Sequence, residues 1–178
     1  MPAYHSQFND NVESKVGNMA VLPLRSNFKG PAPRQEANKV DIIDEALLYF
    51  KPNLFFREYD IKGAADRTLI YLFLYITECL KRLVKVPKKT QAIKDLTTMA
   101  LESKLPIPGE AAFPFSGLFK PPNGPQEEET MRAYLQQLRQ ELGARLIEIV
   151  YQNPDQPSKW WLCFARRRFM DKSLSKNF

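Results

Sequence analysis

Histidine, cysteine and glycine are scarce in this chain, and their scarcity argues against several kinds of active site. His5 is the only histidine, so paired-histidine metal sites are excluded and a Ser-His or Cys-His nucleophile is disfavoured. The two cysteines, Cys79 and Cys163, lack Cys-x-x-Cys spacing. Both lie in apolar stretches, which predicts reduced residues in the core of an intracellular protein. None of the seven glycines belongs to a phosphate-binding loop motif.

Long apolar runs are also missing. The longest, residues 69–76, is far shorter than the roughly 20 residues that a membrane-spanning helix needs. The chain begins without a signal-peptide pattern. Its 178 residues, 44% of them hydrophobic and 26% charged, fit one globular domain covering residues 1–178. We therefore expect a single cytoplasmic domain without a membrane span.

The acidic clusters have a structural explanation. Asp41, Asp44 and Glu45 stand at one predicted helix start, and residues 127–129 stand at another. The dipole of a helix favours negative charge at this end, so general acid or base chemistry is not needed to explain these carboxylates. We predict a non-enzyme with no catalytic residue, no cofactor and no metal.

Hydrophobic periodicity predicts an all-α fold of about five helices. The longest signal covers residues 127–151 and forms one apolar stripe. Residues 66–86 are apolar on every side, which predicts the central helix. Further helices are predicted from Asp41, over about 90–103, and from near Pro157. The sequence has no clear strand alternation and no internal repeat.

Two proline-containing segments are predicted to be irregular but packed. Residues 1–40 form an extended arm, and residues 106–125, with six of the fourteen prolines, form a crossover. The arm carries Met19, Leu22 and Phe28. Such apolar side chains lie either against the chain's own core or against another protein.

Positive charge is concentrated at the C-terminus. Residues 159–178 contain six basic residues and one acidic residue, which accounts for five of the six net positive charges. The basic residues are Lys159, Arg166, Arg167, Arg168, Lys172 and Lys176. They alternate with the rings of Trp160, Trp161, Phe164 and Phe169. This combination suits a protein interface or single-stranded nucleic acid, and an ordinary solvated helix face is the simpler alternative.

Several blocks of the sequence resemble one known family. They are MPAYHS at 1–6, GNMAVLP at 17–23, FKGPAP at 28–33, DEALLYF at 44–50, ADRTLIY at 65–71, MRAYLQQLRQE at 131–141, and PSKWW with RRRFMDKSL within 157–174. Together they resemble the actin-related protein 2/3 complex subunit 3 family along nearly the whole chain. The resemblance implies a small, all-α, non-catalytic subunit of the assembly that nucleates branched actin filaments, docked chiefly on the actin-related protein 3 subunit.

This resemblance leads to a structural hypothesis for the candidate residues. The arm and apolar surfaces, including Met19, Leu22 and Phe28, would fix the chain to actin-related protein 3. The basic residues Lys159, Arg166, Arg167, Arg168 and Lys172 would meet actin. Expected partners are thus subunits of the complex and the actin filament, in the cytoplasm and actin cytoskeleton. The alternative is a basic and aromatic module for single-stranded nucleic acid.

Overall fold

The computed structural model describes residues 3–175, which form five α-helices and one short β-hairpin. The helices are α1 (Ile42–Asn53), α2 (Ala64–Leu83), α3 (Lys89–Ala100), α4 (Gly124–Val150) and α5 (Lys159–Leu162). Strands β1 (Lys15–Val16) and β2 (Met19–Ala20) pair antiparallel, and a 3₁₀-helix covers Gln7–Asp10. The fold is mostly helical, so the all-α prediction is correct only in part: a hairpin lies within the arm.

Helix α2 is the central element of the fold. It packs against α1, α3, α4, α5 and the hairpin, and its apolar residues are buried all round. Ile70 and Leu74, on the side away from the main stripe, are as buried as Leu69 and Leu72. This confirms the prediction that the segment apolar on every side is the central helix.

Helix α1 begins with the predicted Asp41 cap. The Asp41 carboxylate accepts the Asp44 backbone N–H, and the Asp44 carboxylate accepts the Asp41 backbone N–H, each at 3.1 Å. This reciprocal pair satisfies amides that no helical turn can reach. Pro52 lies inside the last turn, and the helix ends at Asn53.

Helix α4 begins at Gly124, before the predicted start at residue 127. Pro125 occupies its first turn, where the missing proline N–H would have had no helical partner. The preceding crossover contributes Ile107, Phe113 and Phe119 to the core. The phenylalanine rings pack edge to face with centroids 5.1 Å apart.

Arg145 connects α4 to the start of α1. Its guanidinium donates to both Asp41 oxygens at 2.7 and 2.6 Å, to Asp44 at 3.0 Å and to Glu141 at 2.9 Å. It also donates to the Arg25 carbonyl at 2.8 Å. One side chain thus holds together two helices and the arm.

The arm is folded onto the core. Gly17 turns the chain between the strands with a φ of +59°, and the Leu22 N–H donates to the Tyr134 hydroxyl at 3.0 Å. Met19 and Leu22 are fully buried. The apolar residues of this part of the arm therefore belong to the chain's own core.

The last predicted helix is a single turn. Helix α5 ends at Leu162, and the chain then reverses through Met170 and Asp171, which have φ values of 50° and 60°. The reversal places the Phe169 ring in the core, 5.3 Å from the Phe73 ring. Cys163 is exposed rather than buried, so its predicted core position is wrong.

Candidate interaction surfaces

The basic C-terminal segment is held in place by its apolar residues. Ala165 and Phe169 are buried and frame the three consecutive arginines, all of which are exposed. Lys159 and Lys172 are exposed as well. All five described basic candidates therefore have their side chains at the surface. Lys176 lies outside the described residues.

A buried carboxylate anchors the end of this segment. Glu78 on α2 accepts the Ser175 backbone N–H at 3.1 Å and the Ser173 and Ser175 hydroxyls at 3.0 and 2.8 Å. Lys81 donates to the same carboxylate at 3.1 Å. Bonds to a charged acceptor are stronger than neutral ones. The chain around Lys172 is therefore fixed against α2.

Part of the basic segment forms one wall of an open cleft, which we call the basic groove. Its volume is about 1730 Å³. The other walls come from the C-terminal end of α2, from α3 and from the beginning of the crossover. Its floor consists of the apolar residues Met99, Leu105 and Phe113. Arg166, Arg168 and Lys172 line it, but Arg167 and Lys159 do not.

Positive charge exceeds negative charge on the groove: seven basic and four acidic side chains line it. Lys81 pairs with Glu78 at 3.1 Å, and Arg82 lies 3.7 Å from Glu102. Four further cations line the groove without an ion pair to any of residues 3–175. We call them the rim cations: Lys85, Lys104, Arg166 and Lys172. Asp95 and Asp171 are the remaining acidic residues of the lining.

The other two basic candidates lie beside exposed aromatic rings. The Arg167 guanidinium is 4.9 Å from the centroid of Phe55, and the Lys159 amine is 5.3 Å from that of Trp160. Phe55 is 61% exposed and Trp160 is 70% exposed. The basic segment is therefore divided between two surfaces, a result that its sequence did not indicate.

The end of α1 and the C-terminal segment together make an aromatic face. Phe55 packs edge to face on Phe164 at 6.3 Å, and the Lys51 amine lies 4.1 Å from the Trp161 ring. We define the aromatic face as Lys51, Phe55, Trp160, Trp161, Phe164 and Arg167. Burial lowers the pKa of Lys51, as expected for a cation held against apolar rings.

The aromatic face was not predicted as a unit. Lys51 was not singled out from the sequence. The apolar residues 54–56 predict a turn that closes over the core, but Phe55, just beyond the end of α1, is 61% exposed. Lys85 was missed as a rim cation because a lysine at a helix end is already explained by the helix dipole. Lys104 lies in irregular chain beyond the end of α3 at Ala100, where no sequence pattern marks it.

Of the three arm candidates, Phe28 alone has substantial exposed surface. It is 38% exposed, whereas Met19 and Leu22 are buried in the core. The latter two offer no side-chain surface to a partner, so we do not retain them as contact residues. Phe28 stays a prediction.

The nucleic-acid alternative required rings and arginines on one surface. The structure separates two of the arginines from the rings: Trp161 stacks on Phe50 with centroids 6.3 Å apart, whereas Arg166 and Arg168 line the groove. Phe113, the aromatic ring of the groove floor, is buried. Stacking of bases needs exposed rings beside the cations, and the basic groove does not offer them.

The buried carboxylates and the histidine are hydrogen-bonded within the chain. His5 is 2.7 Å from the Asp66 carboxylate, and Glu45 accepts the Ser6 hydroxyl at 2.6 Å and the Gln7 N–H at 2.8 Å. Burial raises the pKa of Glu45 despite these bonds. Burial also raises the pKa of the Cys79 thiol, which opposes formation of a nucleophilic thiolate.

Two features are absent from residues 3–175. No cluster of three or more His, Cys, Asp or Glu side chains in this part is arranged to hold a metal ion. None of the described helices has the length and apolarity to cross a membrane.

Comparison with known proteins agrees with the resemblance seen in the sequence blocks. Residues 1–174 match the family described as the ARP2/3 complex ARPC3 (21 kDa) subunit. The chain is 60% identical to the probable actin-related protein 2/3 complex subunit 3 of Caenorhabditis elegans, covering 98% of this chain and 96% of that protein. It is 50% identical to the corresponding subunit of Schizosaccharomyces pombe (98% and 100% covered) and 49% identical to that of Dictyostelium discoideum (96% and 99% covered). The chain therefore belongs to the actin-related protein 2/3 complex subunit 3 family.

Proposed function

We propose that this chain is a non-catalytic structural subunit of the actin-related protein 2/3 complex and supports nucleation of branched actin filaments. The observation that carries the proposal is membership of a family whose relatives, aligned over nearly their whole length, are named as subunits of that complex. The expected location is the cytoplasm, in the actin cytoskeleton. The chain contributes by shape and surface chemistry, since its buried carboxylates and its histidine are satisfied by its own donors and acceptors.

The aromatic face is the best candidate for docking on the actin-related protein 3 subunit. Tryptophan and arginine are enriched among residues that dominate binding energy at protein interfaces. Here exposed Trp160 and Phe55 stand beside Lys159 and Arg167. Phe28 is a further exposed apolar residue from the arm. Burial of these rings would supply the apolar centre that a stable interface needs.

The exposed cations at the groove are the best candidates for contact with actin. Arg166, Arg168 and Lys172 lie at the surface and carry net positive charge. An acidic partner surface would be attracted and oriented by them, and screening by salt would weaken the attraction. In this proposal the aromatic face docks on actin-related protein 3 through apolar contacts, and the groove cations contact actin through their charge.

Docking is tested by assembly of tagged chains in their native cytosol. The variant F55A/W160A removes two exposed rings, and I93A/L101A removes two exposed apolar side chains from α3 and its end. We expect the first to lose co-purifying actin-related proteins and the second to retain them, with equal unfolding midpoints. Equal recovery from both variants would contradict docking through the aromatic face. Absence of actin-related proteins from the wild-type sample would refute the proposed function.

Contact with actin is tested on assembled complexes. R166A/R168A and the control R34A/R57A each remove two exposed arginines. We expect slower branch formation only with the first variant, and a smaller difference from wild type as salt rises. Complexes that assemble normally and branch at the wild-type rate with R166A/R168A would contradict this role.

A further inference from the structure

The shape of the basic groove favours a chain segment as its occupant. Its volume of about 1730 Å³ exceeds the roughly 300–1,000 Å³ typical of pockets for small molecules. It is an open cleft bounded by two helices, the crossover and the C-terminal segment. A segment in extended conformation could lie along such a cleft and reach all its walls.

The charge of the groove favours an acidic occupant. The four rim cations come from three separate parts of the chain, and none is neutralised by a residue of the described part. Like charges brought together by folding repel one another, and a partner carrying carboxylates relieves that repulsion. Glu78 and Glu102 do not compete for the rim cations, because Lys81 and Arg82 already pair with them.

The floor and edges of the groove favour protein over nucleic acid. Val84, at the end of α2, is 51% exposed in the lining, and Leu105 and Pro106 lie in the same cleft. These residues can receive an apolar side chain. Asp95 and Asp171 also line the cleft. They would repel a continuous phosphate backbone, whereas a peptide can place neutral residues opposite them.

We propose that the basic groove binds an extended acidic segment of a protein partner, with carboxylates on the rim cations and an apolar side chain against Val84. The proposal rests on the proposed function to the extent that Arg166 and Lys172 serve both. Lys85 and Lys104 belong to the groove alone, and they allow it to be tested separately.

The test measures binding of the full-length chain to a synthetic fluorescent peptide of glutamate and aspartate with central leucines, at an ionic strength of about 0.15 M. The variant K85Q/K104Q removes two rim cations. The control K15Q/K29Q removes two exposed lysines from the arm, so both variants have the same net charge. We expect the first to weaken binding about two- to thirty-fold, the range expected for two exposed ion pairs, and the control to bind like wild type.

Two further probes define the occupant. Replacing the leucines of the peptide by serine is expected to weaken binding to the wild-type chain, because the apolar contact with Val84 is lost. A deoxythymidine oligonucleotide of equal charge is expected to bind more weakly than the acidic peptide. Tighter binding of the oligonucleotide, with the same dependence on Lys85 and Lys104, would overturn the proposal in favour of nucleic acid.

Other outcomes would also overturn it. Equal weakening by K85Q/K104Q and K15Q/K29Q would show general attraction between opposite charges, and undetectable peptide binding would show no site. Both variants must first match the wild-type unfolding midpoint. Co-purification of the wild-type chain with actin-related proteins separates the two proposals: recovery of those proteins by a chain that does not bind the peptide refutes the groove alone, and peptide binding by a chain that recovers none of them refutes the proposed function alone.

Discussion

Replacement of Arg145 by alanine should destabilise the chain more than any exposed arginine can. The Arg145 side chain is 18% exposed and is bonded to Asp41, whose side chain is fully buried. In the variant, Asp41 keeps backbone bonds from Arg25 and Asp44 at 3.0 and 3.1 Å and the Arg25 Nε at 3.9 Å, but it loses the cation that is hydrogen-bonded to both of its oxygens. A buried charge left without its partner costs about 3–5 kcal/mol of unfolding free energy.

Arg132→Ala provides a matched control on the same helix. Arg132 is 41% exposed and pairs with Glu128 one turn away at 2.9 Å. Such exposed pairs contribute only about 0.3–0.5 kcal/mol. The two substitutions remove the same type of side chain from α4. The difference between their unfolding free energies therefore measures the effect of burying the ion pair.

The assay is urea unfolding of the isolated chain followed by circular dichroism. We expect R145A to unfold at much lower urea than wild type, and R132A to unfold close to wild type. The double variant R145A/D41N should recover part of the loss, because asparagine still caps a helix and carries no charge. If R145A costs no more than R132A, or if D41N makes R145A worse, the reasoning is refuted.

The pH dependence of the same pair has a definite sign. Burial would raise the pKa of Asp41, but hydrogen bonds from Arg145 and the Arg25 backbone and the charge of Arg145 lower it below 3.8. In wild type this carboxylate therefore contributes stability above about pH 4, which is lost as pH falls through the folded-state pKa. In R145A burial acts without the cation and raises the pKa of Asp41. The difference in stability between R145A and wild type should therefore shrink as the pH is lowered.

Three further predictions test other parts of the fold. The Glu45 carboxyl, with a pKa raised by burial, should titrate by carbon NMR with a midpoint above 4.5; a midpoint at or below that value would contradict the burial argument. Gly17→Ala should lower the unfolding free energy by about 1–3 kcal/mol, because φ is +59° and an added Cβ would lie 2.5 Å from the Lys120 carbonyl oxygen. In the control Gly117→Ala, the added Cβ meets no atom within 4 Å. Equal effects of the two substitutions in urea unfolding would contradict this prediction. Phe169→Ala should cost about 3–5 kcal/mol, whereas Trp160→Ala should cost little because Trp160 is 70% exposed; similar midpoints in thermal unfolding would show that the Phe169 ring is not part of the core.

The helices could be predicted where the local pattern and the packing agree. Residues close together in the sequence determine both the apolar surface on all sides of α2 and the Asp41 cap of α1. The hairpin was missed because its strands are only two residues long, too short for an alternating pattern. Its local signal was the Gly17-Asn18 pair between Val16 and Met19, a dipeptide typical of tight turns.

The end of the chain could not be predicted from local spacing. Trp160, Trp161 and Phe164 have near-helical spacing, yet the helix ends at Leu162. The reversal that follows brings Phe169 between the rings of Tyr59 and Phe73, at 5.6 and 5.3 Å. The position of Phe169 thus depends on residues about a hundred positions earlier, which no short window contains.

Local spacing also could not predict which residues share a surface. Three consecutive arginines suggested one basic face, but the turn in the backbone sends Arg166 and Arg168 to the groove and Arg167 to Phe55. An apolar residue in an irregular arm can cover its own core or a partner with equal hydrophobic gain. The folded arrangement buried Met19 and Leu22 and left Phe28 partly exposed.

The anchoring of the C-terminal segment on α2 also determines when the chain can finish folding. While a ribosome is still adding residues, Glu78 has no serine partners and the site of the Phe169 ring is empty. The nascent polypeptide therefore exposes part of its central helix until residues 169–175 have left the exit tunnel. During that interval the unfinished protein is open to aggregation and chaperone capture, and a premature stop codon before Phe169 should leave it permanently in that state.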